Sequence, residues 1–152
     1  MPADDSSDFL DLHSRTSKVL RALADRDMRR HGLHLGQNHV LAVLWENDGR
    51  TPGEMAAALN VTTPTVVKMA TRMAAAGLLT RRQDDQDKRL VRLWLTDHGR
   101  ELREPVEADR KALSDKVTAE LTDAERAHLV SALAKIHRAA ADLLGEPLEL
   151  GT

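Results

Sequence analysis

The stretch "TPGEMAAALNVTTPTVVKMATRMAAAGLLTRRQDDQDKRLVRLWLT", residues 51 to 96, decides the fold. Thr51 can cap a helix, Pro52 suits its first position, and Glu54 stands where a capping box needs an acid. That helix is short and ends near Asn60. Thr63 before Pro64 repeats the signal, and a second helix runs to a glycine stop at Gly77. "LLTRR" and "RLVRLWLT" then read as two strands, the second placing Val91, Leu93 and Leu95 on one face. Two short helices joined by a tight turn and followed by a hairpin make a helix-turn-helix with a wing.

Helices flank this unit on both sides. From about Asp8 to Arg30, Phe9, Leu12, Thr16, Val19, Leu20 and Leu23 recur at helical spacing, and "HGLHLG" supplies the stop. A further helix runs from about Gln37 to Glu46. Beyond the hairpin, Thr96 caps a long helix from about Asp97 to Glu120, with a kink predicted at Pro105. "TDAE" at 122 to 125 is a capping box for a last helix with Leu129, Leu133, Ile136, Ala140 and Leu143 on its stripe, and the tail "GEPLELGT" reads as loose. The fold class is therefore mainly α with a small β-hairpin wing. The chain divides into an N-terminal helix (1–34), a winged helix-turn-helix lobe (35–96) and C-terminal helices (97–152), all within one compact domain.

Composition narrows the chemistry. The 152 residues are 41% hydrophobic but only 2% aromatic, so the core is aliphatic. The absence of cysteine excludes disulfides, thiol nucleophiles and thiolate metal sites. No basic-then-apolar leader and no membrane-length apolar run is present, which points to the cytoplasm. No Ser, His and Asp set has motif context and no glycine loop is built to hold a phosphate, so the reading is of a protein without catalytic activity or cofactor. A pure helical interaction protein would have no use for the basic wing.

Nucleic acid is the partner that the charge pattern favours. The net charge of −2 hides an asymmetry: residues 62 to 92 carry seven bases against three acids, a net +4, which leaves −6 for the rest. On the second short helix, Val66, Ala70, Met73 and Gly77 fall on one side, and Pro64, Thr65, Lys68, Thr71, Arg72 and Ala75 on the other. Cations, hydroxyls and small residues suit a major groove, where they meet phosphates and base edges. At the hairpin tip, Asp87 is placed to orient Arg89 through a local ion pair, so that Arg89 or Lys88 reaches the DNA. Asp84 and Asp85 are turn formers.

These residues carry a family resemblance. "GLLTR" at 77 to 81, "DQDKR" at 85 to 89 and "LTDHG" at 95 to 99 follow the recognition helix in the order seen in MarR-family transcriptional regulators, and "GQNHVLAVL" resembles that family's second helix. The resemblance implies a winged-helix homodimer that binds a pseudo-palindrome in double-stranded DNA, usually as a repressor, and is released by a small molecule. It makes Asp87 and Arg89 the wing pair and puts the major-groove contacts, Thr63 among them, within residues 63 to 72. The terminal helices would be dimerisation helices, since the small winged module is too small to cover their apolar stripes.

The resemblance also implies an effector pocket where the dimer helices meet the lobe, often for aromatic acids. Arg15 is the expected carboxylate anchor, lying beside Leu12, Thr16 and Val19, with Asn38 and His39 reading ring hydroxyls and His13 as a further candidate. The ligand expected is a hydroxybenzoate such as protocatechuate or salicylate. Arg21 and Arg26 replace Arg15 if the helix phase differs. An alternative is zinc sensing by His31, His34 and His39, which cluster around one loop.

Overall fold

A computed structural model describes residues 8–148. Seven helices and one hairpin follow in the order α1 (Phe9–Arg29), α2 (Leu35–Glu46), α3 (Pro52–Leu59), α4 (Thr63–Ala75), β1 (Leu79–Gln83), β2 (Val91–Leu95), α5 (Asp97–Glu101), α6 (Arg103–Val117) and α7 (Asp123–Leu144). The strands pair antiparallel with Leu79 opposite Leu95 and Gln83 opposite Val91. A single bridge from Arg50 to Leu93 adds the loop between α2 and α3 to the hairpin's edge.

Short polar side chains start most of the helices. Thr51, Thr96 and Thr122 each accept a hydrogen bond from the backbone N–H three residues on, satisfying donors that the first helical turn leaves free. Thr122 and Glu125 close the reciprocal box, at 3.1 and 3.2 Å. At α4 the cap is Thr62 rather than Thr63, which lies inside the first turn with Pro64. At α3 only the Thr51 half of the predicted box is present; the Glu54 carboxylate stands 3.8 Å from Arg92 instead.

The long helix predicted from 97 to 120 is broken at Leu102, not kinked at Pro105. Pro105 cannot donate to the carbonyl four residues back and its ring crowds that carbonyl, so the break falls one turn earlier. Of the tail read as loose, residues 145–148 depart from that reading, and residues 149–152 lie outside the described residues. Leu148 donates its backbone N–H to Asn60 O at 2.7 Å and bridges Val61, fastening the end of α7 to the turn between α3 and α4.

One aliphatic core holds the lobe together. Leu41 and Leu44 of α2, Met55 of α3, Val66 and Met73 of α4 and Leu93 of β2 are all fully buried. Leu102 and Val106 extend the core onto α6, and Met28 onto α1. By contrast, α7 has no buried residue and α1 only Met28. Phe9, Leu12 and Val19 on α1 and Leu129, Leu133 and Ile136 on α7 remain exposed. Among the described residues, no helix is long and apolar enough to cross a membrane.

Candidate nucleic-acid interface

On α4, Val66, Ala70 and Met73 are buried, whereas Pro64, Lys68, Thr71, Arg72 and Ala75 are exposed and Thr65 is half-buried. The helix thus turns inward the apolar face its periodicity predicts, apart from Gly77, which lies past the helix end and is exposed. Lys68 and Arg72 have no ion-pair partner among the described residues, so both charges are available to phosphates. The Thr65 hydroxyl bonds the Thr62 hydroxyl at 2.8 Å, and the Thr71 hydroxyl donates to Val67 O at 2.9 Å while accepting from Arg81. Exposed Val67 was not among the expected contacts, and an outward apolar side chain on this helix suits a thymine methyl. The doublet "VV" hid it, because one of the two valines had to be core.

The wing tip is built as its charges suggest except at Asp85, whose side chain is exposed and makes no hydrogen bond among the described residues. Asp87 Oδ1 accepts from the Arg89 backbone N–H and from Arg89 Nε, both at 3.1 Å. The side chain of Arg89 is 91% exposed, so it is oriented without being covered. Lys88 beside it is also exposed. Asp84 forms the turn: its Oδ2 accepts from Asp87 N at 2.9 Å and Gln86 N at 3.2 Å.

Arg92, counted among the bases available to DNA, points elsewhere. It is half-buried, donating from Nε to Asp84 Oδ1 at 2.7 Å and from a terminal nitrogen to Gly49 O at 2.9 Å. The hydrogen bond from Arg92, with those from Asp87 and Gln86, holds the Asp84 carboxyl below its ordinary 3.8, against an opposing effect of burial. Arg92 faces Arg82 directly across the ladder, where like charges repel. Asp84 neutralises one, and the other stacks over Trp94 with Cζ at 4.9 Å from the ring centroid. Alternation along β2 gave a hint of this, since Arg92 lies opposite in phase to Leu93.

The expected effector residues separate into two groups. Arg15 is 66% exposed and pairs with Asp11 at 3.0 Å; Leu12 and Thr16 are exposed on the same helix, and His13 lies near Ser17, at 3.4 Å, and Phe9. Farther along, α1 packs against α2 and α6. There Asn38 is 5% exposed and its Oδ1 is buried without a hydrogen-bond partner. His39 keeps solvent contact, yet the protein around it removes enough water to lower its pKa from the ordinary 6.5, and Arg110 of α6 and Arg21 of α1 push the same way. Sequence reading missed Arg110, because α6 comes back beside α1 only in the folded chain.

The histidines of the metal alternative do not converge. His31 bonds Asp109 of α6 at 2.6 Å and His34 begins α2, its backbone N–H bonded to Gln37. Among the described residues, no group of three or more His, Cys, Asp or Glu is placed to hold a metal ion.

An exposed cationic helix carried beside a basic hairpin on one aliphatic core defines a winged helix-turn-helix regulator. Comparison with known proteins agrees. A profile of the MarR family matches residues 33–91. The HTH-type transcriptional repressor MdtR of Bacillus subtilis strain 168 is 32% identical over 113 residues, which span 74% of this chain and 73% of that protein. The transcriptional regulator TtmR of Methylorubrum extorquens strain PA1 is 37% identical over 73 residues, 48% of this chain but only 37% of TtmR. Among solved structures, the Staphylococcus aureus MepR–DNA complex aligns with a TM-score of 0.80 and 25% identity, over 87% of this chain and 98% of that one. Bordetella bronchiseptica BpsR, solved to explain regulation of its DNA binding by 6-hydroxynicotinic acid, gives 0.77 and 25%, over 90% and 98%. The chain belongs to the MarR family, as a transcriptional regulator and not an enzyme.

Proposed function

We propose that the protein is a repressor which binds a pseudo-palindromic operator as a homodimer and releases it on binding a small aromatic carboxylate. Thr63, Pro64, Thr65, Lys68, Thr71 and Arg72 meet the major groove, and Asp87, Lys88 and Arg89 form the minor-groove wing. Two-fold symmetry puts the paired recognition helices about 34 Å apart, one DNA turn. The uncovered stripes of α1 and α7 favour the homodimer, which would bury them.

The observation that carries the effector reading is the buried, unpartnered Asn38 Oδ1, next in sequence to His39, whose pKa is lowered by burial and by the charges of Arg110 and Arg21. Two guanidiniums suit a carboxylate, the neutral imidazole can bond a ring hydroxyl, and a buried acceptor without a donor is costly until a ligand or water supplies one. The anchoring role expected of Arg15 passes to Arg21, because Arg15 is taken by Asp11. BpsR gives a precedent for the ligand class, a hydroxylated ring bearing a carboxylate.

Thermal unfolding of wild type, Arg21→Ala, Arg110→Ala and Arg15→Ala against hydroxybenzoates and 6-hydroxynicotinate tests this reading. One acid should raise the wild-type midpoint, with the shift lost in Arg21→Ala and Arg110→Ala and kept in Arg15→Ala. Loss in Arg15→Ala alone would return the anchor to Arg15. A shift with no acid overturns the pocket.

A further inference from the structure

The guanidinium of Arg92 joins the wing loop to a second part of the lobe. Its Nε holds Asp84 at the root of the wing loop, at 2.7 Å, and a terminal nitrogen holds Gly49 O, in the loop between α2 and α3, at 2.9 Å. Glu54 of α3 lies 3.8 Å from the same guanidinium. Asp84 in turn organises the tip. Its backbone N–H closes the loop on Leu90 O at 2.9 Å, and its side chain takes the N–H groups of Gln86 and Asp87. Asp87 then holds Arg89. A continuous chain of hydrogen bonds thus runs from the loop that leads into the helix-turn-helix through Arg92, Asp84 and Asp87 to the exposed arginine.

We propose that Asp84 and Arg92 are a positioning pair: they touch no DNA themselves but fix the height and direction at which Arg89 is offered relative to α4. An untethered hairpin tip must lose its own conformational freedom on binding, and the brace removes that cost beforehand. Misplacing a minor-groove arginine by the width of one atom forfeits its contacts while leaving the recognition helix in its groove. The inference rests on the DNA-binding reading above.

The test is a double-mutant cycle measured on a duplex that wild-type protein selects from a random library. Asp84→Asn should weaken binding about tenfold, and that loss should vanish in an Arg89→Ala background, because the pair acts only through Arg89. Hydroxyl-radical footprints should lose the minor-groove protection, whereas dimethyl sulfate protection of guanine N7 in the major groove should persist. Arg92→Lys should not rescue, since an ammonium lacks the fork that spans Asp84 and Gly49. Binding by Arg92→Lys equal to wild type, with a salt slope lowered by about one in Arg92→Ala whatever stands at 89, would make Arg92 a phosphate contact and overturn the proposal. So would losses that add across the cycle, or that strip both footprints together. If wild type selects no sequence, the DNA-binding reading itself fails, and that outcome is separate from an additive cycle.

Discussion

Trp45, at the end of α2, donates its indole N–H to the carbonyl of Gly99 at 2.8 Å. One bond therefore joins the first helix of the lobe to the short helix from which the C-terminal helices leave. Arg103 strengthens the junction, donating to Trp45 O at 2.7 Å and to Glu46 at 2.6 Å. No side chain fits at 99. A Cβ there would stand 2.2 Å from Leu78 O, a backbone atom that cannot move aside cheaply. Gly99→Ala should cost about 3 kcal/mol, the upper end of overpacking penalties, read as a lower urea midpoint with an unchanged slope. A midpoint equal to wild type would mean that α5 shifts freely against the hairpin.

The recognition helix yields a prediction about salt. Lys68 and Arg72 are exposed on α4 and lack carboxylate partners among the described residues. Lys68→Ala should weaken binding evenly across duplex sequences and lower the slope of log K against log salt by about one. Arg72→Ala should do the same if it meets a phosphate, but should relax preference at one position if it meets a guanine edge. A slope unchanged in both variants would remove this face from the interface.

What could be read in the sequence was what depends on near neighbours. Thr51, Thr96 and Thr122 announce helices through bonds to residues three positions away, and period alone sorts Val66, Ala70 and Met73 from Lys68 and Arg72. The Asp87–Arg89 pair spans two residues and was legible for the same reason. Where two adjacent residues compete for one role, reading slipped by a position, as Thr62 and Thr63 show. What needs the folded chain stayed hidden. Arg92 and Gly49 are 43 residues apart, and the bond from Leu148 to Asn60 crosses nearly the whole C-terminal half. The charge of Arg110 bears on His39 only because α6 comes back beside α1 and α2, a relation that no spacing along the chain reveals.

His39 sets the sign of a pH effect. Its folded pKa lies below 6.5, from loss of water and the nearby Arg110 and Arg21. The unfolded chain therefore binds the proton more readily, and His39 lowers stability as pH falls through 6.5 toward the folded value. A carboxylate bound as proposed would offset one of these two positive charges and so should raise that pKa, in which case ligand binding takes up a proton and tightens as pH falls across the interval between the free and bound values. Calorimetry near pH 6 in buffers of different ionisation enthalpy should show a fraction of a proton taken up per ligand, and none in His39→Gln. Equal uptake in the variant would place the titrating group elsewhere.

The apolar stripe of α7 lies uncovered along its length. Leu129, Leu133 and Ile136 stand one turn apart and each is about two-fifths exposed, with no buried residue anywhere on the helix. Each such side chain gains about 1.5–3 kcal/mol from full burial, and a two-fold partner buries every one of them twice. Wild type should therefore sediment as a dimer, and its melting midpoint should rise with concentration because folding and association are linked. Leu133→Glu puts two carboxylates into the joined interface and should shift the protein to monomer, with operator affinity falling because two half-sites no longer act together. The lobe core, built from Leu41, Met55, Met73 and Leu93, is independent of that surface, so the variant should keep its helical circular dichroism. A Leu133→Glu protein that sediments as wild type does would place the dimer contact on α1 alone, where Phe9, Leu12 and Val19 lie exposed.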